Sequence, residues 1–474
     1  MNKEIRTRFA PSPTGIMHIG NIRTALLNLL FTRQKSGTFV LRIEDTDPAR
    51  MFDPGAKKII SDLKWLSLNF DEGPDIGGPY APYFQSERMP IYNEKLKELQ
   101  KLGGTYRCFC SEEELEKKRT RQIAMKKPPR YEKTCLHLSQ KEIDQNLADG
   151  KSFIWRMNLD PSKSVTIKDL AKGMVKFELE NFTDFPLTRK DGTFTFMFAN
   201  FVDDMTMKIS HVFRGEDHLS NTAGQAALFE AFNVPLPTFW HMPMICNTEG
   251  KKLSKRDFGF SLDDLKNTGF LPEAINNYLA IIGGSFVEEI MSQEDLIKTL
   301  NFEHVGSTNR VSYDVEKLKW INHKWIDRYP KEKLEKLCRP FLEKQYPAAK
   351  QISEERLSGI IQLIKSDLVV LSDIVKVLSF LFEKPTNINV KIAEQISEEN
   401  LRTIKEIVNS NLNLLSAPHE FIEKLKITAK EKNIGLKNLF IFLRIALTGE
   451  PKGPGIAELV EILGETEAKS RIQS

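Results

Sequence analysis

Two separated segments carry the side chains best suited to handle a nucleoside triphosphate. The first, His18-Ile19-Gly20-Asn21, directly follows the sequence APSPTG and the apolar stretch 5–10, where a strand can lead into a helix. The N–H groups at a helix N-terminus attract phosphate. The second, Lys252-Leu253-Ser254-Lys255-Arg256, follows the apolar stretch 239–246 and offers three cations. Either segment alone is unspecific, but together they predict ATP chemistry.

The region that precedes residue 88 alternates between strand-like and helix-like patterns. We predict strands at 5–9 and 38–44, and helices at 19–34 and 56–66. Such βαβ alternation favours a parallel sheet with crossover helices.

A basic, proline-containing region interrupts this pattern from 88 to 195, with strand-like pieces at 153–159 and 175–179. Apolar segments resume at 193–202 and 211–214, and both are interpreted as strands. The pattern therefore predicts one nucleotide-binding domain that is split by an inserted domain.

The C-terminal third has helical periodicity. Apolar residues recur at spacings of three and four, and Ser353 and Ser397 precede acidic residues at predicted helix starts. The repeated apolar positions include Leu357, Ile360, Ile361, Ile364 and Leu368. We predict an all-helical region over 331–474.

The composition is that of a globular protein. The chain has 474 residues and is 41% hydrophobic, which is ample for sizeable cores. Lysine and arginine total 68 against 64 acidic residues, a balance too mild to indicate a polyanionic partner. The N-terminus lacks the apolar region of a signal peptide, and charges interrupt each apolar stretch well before a membrane-spanning length. We expect a cytoplasmic protein with no membrane partner.

Five cysteines in a long chain without a secretion signal argue against a disulfide framework. Cys108-x-Cys110 and Cys135-x-His137 are separated by 24 residues, and their four side chains suit tetrahedral zinc. The C-x-C spacing is tighter than usual, so the spacing alone fits buried free thiols equally well. Cys246 and Cys338 are interpreted as buried thiols.

Seven stretches in order along the chain resemble the bacterial-type glutamyl-tRNA synthetases, which are class I aminoacyl-tRNA synthetases. The stretches are RFAPSPTG at 8–15, LRIEDTD at 41–47, DEGPDIGGPYAPYFQSER at 71–88, FANFVDD at 198–204, VFRGEDHLSNT at 212–222, KLSKR at 252–256 and LRIALTGEPKGPG at 443–455.

The resemblance implies an α/β fold in four parts: a Rossmann-like catalytic domain split by an insertion, a stem-contact domain, and an all-helical anticodon-binding region. The catalytic domain comprises 1–87 and 196–248, the inserted acceptor-stem-binding domain 88–195, the stem-contact domain with the KLSKR loop 249–330, and the anticodon-binding region 331–474.

The resemblance also implies the roles of the two ATP segments. His18, Lys252 and Lys255 are expected to be catalytic, because cations and imidazole donors can stabilise charge on the reacting phosphate. Asn21 replaces the last histidine of the class signature. The expected ATP-binding residues are His18, Gly20, Asn21, Lys252, Ser254 and Lys255.

A glutamate pocket needs guanidinium groups for carboxylate and a carboxylate for the ammonium. The resemblance selects Arg8, Ser12, Glu44, Phe196, Asn200 and Arg214. Phe196 stands where the family more often has tyrosine. Without the resemblance, the two arginines fit surface ion pairs and Glu44 fits a simple acidic run.

The implied zinc ligands are Cys108, Cys110, Cys135 and His137, with Tyr131 or a water as alternatives to His137. Between them, residues 117–133 contain eight basic residues and one acid. This run fits either a solvated surface or phosphate contacts to the acceptor end of a tRNA.

The implied partners are tRNA(Glu), L-glutamate and ATP with Mg²⁺, together with one structural Zn²⁺, and the implied state is a monomer. The family pattern implies that glutamate activation requires bound tRNA. The segment Lys365-Ser366-Asp367 lacks the arginine with which some relatives reject tRNA(Gln). The sequence therefore leaves tRNA(Gln) open as a second acceptor.

Three alternatives share parts of this pattern. A glutamyl-queuosine synthetase lacks an anticodon-binding third, and a glutaminyl-tRNA synthetase typically ends in β-barrels. A non-catalytic RNA-binding paralogue is expected to lose His18 or Lys255, and both are present.

Overall fold

The computed structural model describes residues 4–46, 52–254, 256–284, 286–302 and 310–474. The chain divides into two compact units. The first comprises Met1–Asp264 and Ile275–Val315, and the second comprises Leu265–Ala274 and Glu316–Ser474.

The first unit begins with the predicted strand and helix alternation, which is confirmed. Its elements are β1 (Arg6–Phe9), α1 (Ile19–Gln34), β2 (Thr38–Leu41) and α2 (Lys57–Trp65). β1 and β2 are parallel, with Arg8 opposite Val40. The second strand is shorter than the predicted 38–44, because the chain leaves the ladder after Leu41.

The region predicted as an insertion contains mostly short elements. They are α3 (Met89–Lys101), β3 (Thr105–Cys108), α4 (Glu112–Ala124), α5 (Gln140–Ala148), β4 (Ile154–Met157), β5 (Ser164–Asp169) and β6 (Gly173–Glu178). β3 pairs with β4 and β5 pairs with β6, and both pairs are antiparallel. The strands predicted at 153–159 and 175–179 correspond to β4 and β6.

The remainder of the first unit returns to the sheet. Its elements are α6 (Phe196–Thr206), β7 (His211–Gly215), α7 (Leu219–Ala231), β8 (Thr238–Met242), β9 (Met244–Cys246), α8 (Leu262–Thr268), α9 (Pro272–Ile281), α10 (Gln293–Thr299) and β10 (Arg310–Ser312), with α8 and α9 each crossing a unit boundary. A four-stranded sheet has the order β6-β5-β8-β7. The hairpin β5–β6 thus joins the strand β8 of the later catalytic segment, with Asp169 opposite Phe239.

The strand predicted at 193–202 is wrong, because this segment forms α6. All seven residues from Phe198 to Asp204 are buried, so the helix shows no polar face in its sequence. A short, continuously apolar run does not distinguish a buried helix from a buried strand. Phe198 and Phe201 pack in the core cluster of this unit.

The second unit is helical among its described residues, and the predicted all-helical region is confirmed. Its helices are α11 (Val315–Arg328, which begins at the boundary), α12 (Lys331–Gln345), α13 (Glu354–Ile364), α14 (Asp373–Val377), α15 (Ile388–Ala393), α16 (Glu398–Asn409), α17 (Pro418–Glu431), α18 (Leu436–Thr448), α19 (Ile456–Leu463) and α20 (Glu465–Gln473). Ser353 caps α13 by accepting the Arg356 N–H at 3.2 Å. Ser397 has N-cap geometry at α16 but makes no side-chain capping bond.

Across the described ranges, each helix is too short or too polar to cross a bilayer.

Candidate active site

A cleft of about 940 Å³ in the first unit collects most of the residues that the sequence singled out. The predicted residues that line it are Arg8, Ser12, His18, Gly20, Asn21, Glu44, Phe196, Asn200, Arg214 and Lys252. Lys255 lies outside the described residues. Segments more than 200 residues apart in the chain therefore share one cavity.

His18 forms the N-cap of α1. Its Nδ1 accepts the N–H groups of Gly20 and Asn21 at 3.2 and 3.3 Å, and the Asn21 side chain accepts the His18 N–H at 3.4 Å. These bonds require Nδ1 to be unprotonated, which assigns the ring proton to Nε2. His18 therefore offers one N–H donor beyond its capping bonds.

The His18 ring is held from its other side by the segment that follows KLSKR. It stacks on Phe260, with ring centroids 5.0 Å apart and an interplanar angle of 28°. Burial, together with the charge of Lys252, lowers the pKa of His18. The ring is therefore kept neutral, as its capping role requires.

Backbone hydrogen bonds join the same two segments. Ile19 N–H donates to Phe260 O and Leu262 N–H donates to Met17 O, each at 3.0 Å. The start of α1 and the segment before α8 are therefore one connected structure at the rim of the cleft.

Gly20 stands where a side chain does not fit. A Cβ at this position would lie 3.0 Å from both Cε1 and Nδ1 of His18. The glycine thus permits the close approach of the imidazole to the helix N-terminus.

The second predicted segment reaches the cleft only in part. Lys252 lines it, and its ammonium lies 3.6 Å from the carboxylate of Asp217, with both side chains more than half exposed. Ser254 does not line it; its hydroxyl donates to Asp257 at 2.9 Å. The prediction that Ser254 binds ATP stays a prediction, and in this structure its hydroxyl closes a local turn.

The inner end of the cleft is backed by a buried network of charges. Arg8 contacts Asp204 at 3.1 Å, and Asp204 also accepts from Arg42 at 2.7 Å. Arg42 in turn contacts Glu44 at 3.2 Å and Asp203 at 3.6 Å. Arg8 therefore forms a buried ion pair with Asp204 and not an ion pair at the surface.

The network continues to Arg88, whose Nε donates to Asp203 at 2.6 Å. Burial favours neutral carboxyl groups here, but Arg8 and Arg42 outweigh it and lower the pKa of Asp204. Burial raises the pKa of Glu44, against the opposing charges of Arg42 and Arg8. Glu44 also accepts from Asn200 at 2.6 Å, which orders it at the cleft wall.

Arg214 differs from the other buried arginines of this network. Its Nη2 donates to Thr222 Oγ1 at 2.6 Å, but its Nε and Nη1 have no hydrogen-bond acceptor among the described residues. Burial, followed by repulsion from Arg8, lowers the pKa of Arg214 to about 9, so it remains a cation at neutral pH. A buried donor without an acceptor is costly, so this group is suited to an anionic ligand.

The remaining predicted pocket residues lie at the cleft wall. Phe196 faces His218, with ring centroids 5.7 Å apart, and Ser12 is exposed. The amide oxygen of Asn200 accepts from Gln225 at 2.9 Å, which directs the amide nitrogen of Asn200 toward Glu44.

Sequence reasoning missed several residues of the site. Asp204, Asp217, His218 and Thr222 stand in the stretches FANFVDD and VFRGEDHLSNT, so those motifs could have suggested them. Phe260 carries no sequence signal, because its place beside His18 depends on the tertiary fold.

A second group of reactive side chains lies in the inserted region. The Sγ atoms of Cys108, Cys110 and Cys135 lie within 4.8 Å of one another, and this is the one possible metal-binding cluster found among the described residues. The Tyr131 hydroxyl lies 3.3 Å from Cys108 Sγ and 3.7 Å from Cys110 Sγ. His137 is exposed and lies outside this cluster, so its role as a zinc ligand stays a prediction.

The electrostatics of the cluster favour a thiolate at Cys108, whereas the contacts with Cys108 and Cys135 raise the pKa of the Cys110 thiol. Hydrogen bonds from Cys110 and Cys135 lower the pKa of the Cys108 thiol, although burial opposes them. All five cysteines of the chain are free of disulfides.

The basic run 117–133 divides into two sets. Lys133 contacts the buried carboxylate of Asp184 at 3.0 Å, and Arg130 donates to Glu180 O at 2.7 Å, so both stabilise the fold. Lys118 is half-buried and donates to the Thr134 hydroxyl, so it belongs to the first set. The exposed members are Lys117, Arg119, Arg121, Lys126 and Lys127.

Comparison with known proteins gives consistent matches over the chain. Residues 4–320 match the catalytic domain of class I tRNA synthetases (E and Q), and residues 333–474 match an anticodon binding domain. A glutamate–tRNA ligase of Bacillus pumilus is 37% identical, with all of both chains covered. A glutamate–tRNA ligase 2 of Syntrophus aciditrophicus is 39% identical, with 99% of this chain and 97% of the relative covered.

A solved structure is also similar. The glutamate tRNA ligase of Elizabethkingia meningosepticum, in complex with its amino acid, has a TM-score of 0.86 at 32% identity. The match covers 99% of this chain and 98% of that one.

The geometry of His18 predicts an unusual titration. Since its folded pKa lies below the ordinary 6.5, the neutral ring contributes stability above that pH, and this contribution is lost as the pH falls through the folded value. In an NMR titration of histidine-labelled protein, with the His18 signal assigned from His18→Asn, we expect a midpoint below 6.5. Lys252→Ala should move the midpoint upward, because a repelling charge is removed. A midpoint at or above 6.5 in the unmodified protein would contradict the proposed capping tautomer.

Proposed function

This chain belongs to the class I tRNA synthetases for glutamate and glutamine, and we infer that it joins L-glutamate to tRNA(Glu) with ATP as the activating substrate. Glutamate and ATP form glutamyl-adenylate and diphosphate. The terminal adenosine 2′-hydroxyl of the tRNA then attacks the adenylate, which releases AMP.

The two units argue against the alternative enzymes. A glutamyl-queuosine synthetase has no anticodon-binding region, whereas residues 333–474 match one. The described part of this region is helical and contains no β-barrel of the kind expected for a glutaminyl-tRNA synthetase. The full-length relatives are glutamate–tRNA ligases.

One observation supports an acidic amino acid as the substrate. Behind the cleft, three buried guanidinium groups pair with three buried carboxylates, and Arg214 lies near them with two donors that have no acceptor among the described residues. The paired groups are Arg8, Arg42 and Arg88, with Glu44, Asp203 and Asp204. A ligand with an additional carboxylate completes this set, and glutamate has one.

We assign the side-chain carboxylate of glutamate to Arg214. The charges that act on Arg214 come from Arg8, Asp204, Glu44 and Asp217, whereas those on His18 come from Lys252 and Asp217, so Asp217 is the one charge common to both. The cleft therefore has an inner, arginine-rich end and an outer end with the ATP residues. Glutamine is rejected because its neutral amide would leave the buried cation without a counter-charge.

The remaining pocket residues complete the orientation of the substrate. Glu44, held by Arg42 and Asn200, accepts from the α-ammonium. This leaves the α-carboxylate directed to the outer end, where it can attack the α-phosphate of ATP. Arg8 contributes positive charge while its own geometry is fixed by Asp204.

His18 and Lys252 act at the outer end. The Nε2–H of His18 donates to a phosphate oxygen, and the exposed Lys252 moves toward the triphosphate with its Mg²⁺. The proposed role of Lys255 rests on the sequence alone. Catalysis consists of positioning and charge stabilisation, so no protein nucleophile is needed.

We also propose that Cys108, Cys110 and Cys135 hold one structural Zn²⁺. Three sulfurs this close suit zinc, and the Tyr131 hydroxyl or a water supplies the fourth ligand. The metal would join the end of β3 to the loop after α4. The exposed cations of this region bind the tRNA backbone, and a monomeric state and a cytoplasmic location stay predictions.

The glutamate assignment predicts a selective defect. Arg214→Gln should raise the KM for glutamate by about 10²-fold, because a charged hydrogen-bonded contact is lost. The KM for ATP should change by less than about 3-fold, since the ATP residues are untouched. The measurement is tRNA-dependent ATP–diphosphate exchange.

Arg33→Gln is the matched control, because Arg33 pairs with Asp71 at the surface and does not line the cleft. An unchanged glutamate KM in Arg214→Gln would refute the assignment. Absence of exchange with glutamate in the unmodified enzyme would refute the proposed function itself.

The zinc proposal predicts different results for two neighbouring ligand candidates. After extensive dialysis, metal analysis should find about one zinc per chain in the unmodified protein and in His137→Ala, and far less in Cys135→Ser. A zinc content that falls equally in both variants would show that His137 is a ligand. No zinc in the unmodified protein would refute the site.

The anticodon region predicts relaxed tRNA selection. Lys365 donates to Asp327 O at 3.1 Å, and the segment 365–367 offers no arginine to reject tRNA(Gln). We expect purified tRNA(Gln) to be glutamylated with a kcat/KM within about 10-fold of that for tRNA(Glu), since a single lost contact is worth about 1–3 kcal/mol. Charging of tRNA(Glu) alone would contradict this expectation and leave the main function intact.

A further inference from the structure

A chain of four buried side chains ends on the Arg214 guanidinium. Asp169 Oδ2 lies 2.6 Å from His241 Nδ1, and His241 Nε2 lies 2.7 Å from Thr222 Oγ1. Thr222 Oγ1 accepts Nη2 of Arg214 at 2.6 Å. Asp169, His241 and Thr222 are at most 2% exposed, so water does not compete for these bonds.

The direction of each hydrogen bond in this series follows from the Asp169 carboxylate. Asp169 is a carboxylate acceptor, so His241 donates from Nδ1 and leaves Nε2 as an acceptor. Burial lowers the pKa of His241, although its hydrogen bond to Asp169 opposes the shift. With a neutral ring, Thr222 donates its single proton to Nε2 at 2.7 Å in preference to the other acceptor in reach, the His218 carbonyl oxygen at 3.1 Å.

The direction of the Thr222 hydroxyl then decides the direction of Arg214. Since its proton points to His241, its lone pairs face the guanidinium and accept Nη2. The other described contact of this guanidinium is the Phe239 ring, 5.5 Å from its central carbon. A planar guanidinium fixed at one nitrogen by a short bond presents its remaining donors in a set plane.

We propose that Thr222, held by His241 and Asp169, is a positioning residue that orients Arg214 for the carboxylate of the amino acid. This inference rests on the proposed function, in which Arg214 binds that carboxylate. Thr222 touches no substrate and acts through the guanidinium alone.

Asp169, the end of this hydrogen-bonded series that lies farthest from Arg214, belongs to the inserted region. Asp169 is the last residue of β5, and its Oδ1 accepts the N–H groups of Ala171 and Lys172, each at 2.9 Å. Its Oδ2 accepts both N–H and Nδ1–H of His241 on β8. One carboxylate thus fixes the turn between β5 and β6 and also the first link to the amino-acid pocket.

Thr222→Val tests the central link, because valine keeps the shape and removes the hydroxyl. We expect the KM for glutamate to rise about 10-fold, since a charged donor is left unpaired, and the KM for ATP to change by less than about 2-fold. Thr222→Ser restores the hydroxyl and should return the glutamate KM to within about 2-fold of the original value. Both constants are measured by tRNA-dependent ATP–diphosphate exchange, and glutamate binding is confirmed by calorimetry.

Thr32→Val is the matched control. Thr32 is equally buried, and its hydroxyl bonds to Thr7 and Asn28 O away from the cleft. It should lower thermal stability as much as Thr222→Val does, without changing the glutamate KM. Equal KM effects in the two variants would mean that Thr222 is merely structural.

Asp169→Asn tests the link between Asp169 and His241. Asparagine has one acceptor oxygen, so it cannot serve both the β5–β6 turn and His241 as Asp169 does. We expect the glutamate KM to rise, and the double variant with Thr222→Val to show less than the product of the two single effects, because both break one chain. Independent, multiplicative effects would overturn the proposed chain.

Arg214→Gln separates the two hypotheses. If Arg214→Gln leaves the glutamate KM unchanged, the proposed carboxylate site is wrong and this inference fails with it. If Arg214→Gln raises the KM while Thr222→Val and Thr222→Ser behave alike, only the positioning role is refuted.

Discussion

A shortage of negative charge in a buried network is the constraint on which this site depends. Four guanidinium groups and three carboxylates are removed from water behind the cleft, and buried charges are stable only when they are paired. Arg42 and Arg88 find carboxylate partners within the protein, and so does Arg8. Arg214 instead donates to the hydroxyl of Thr222. The protein therefore carries a preformed positive site suited to an acidic ligand, and in the proposed function this feature relates the fold to the choice of amino acid.

The scaffold explains how such a network is tolerated. Arg8 lies on β1, Asp204 lies on α6 and Arg214 lies on β7, so these three members are fixed by regular elements whose backbone bonds are already satisfied. The residues just after β2, which precede the insertion in sequence, meet α6, which follows it, at this network. The insertion does not merely interrupt the catalytic domain: its strand β5 joins the sheet beside β8, and its Asp169 reaches the residues that hold Arg214.

The charged side chains at the outer end of the cleft are exposed, unlike those of the inner network. Here the chain uses the N-terminus of α1, a neutral imidazole and exposed cations, and the charged side chains remain near water. Exposed lysines can reorient when a triphosphate binds, whereas the inner arginines cannot. In the proposed function, the cleft thus combines a buried end that selects by charge complementarity with an exposed end where charge develops during the reaction.

The sequence by itself determined the local order of strands and helices before residue 88, the helical third and the residues of the cleft, because periodicity, caps and short motifs are local properties. It failed at α6, where an apolar run hides the helical period. Only the tertiary structure decided that Tyr131 joins the cysteines, that Phe260 stacks on His18, and that Arg214 is left with free donors. These facts depend on which distant atoms become neighbours, and spacing along a chain does not encode the distances or the desolvation that then set the chemistry.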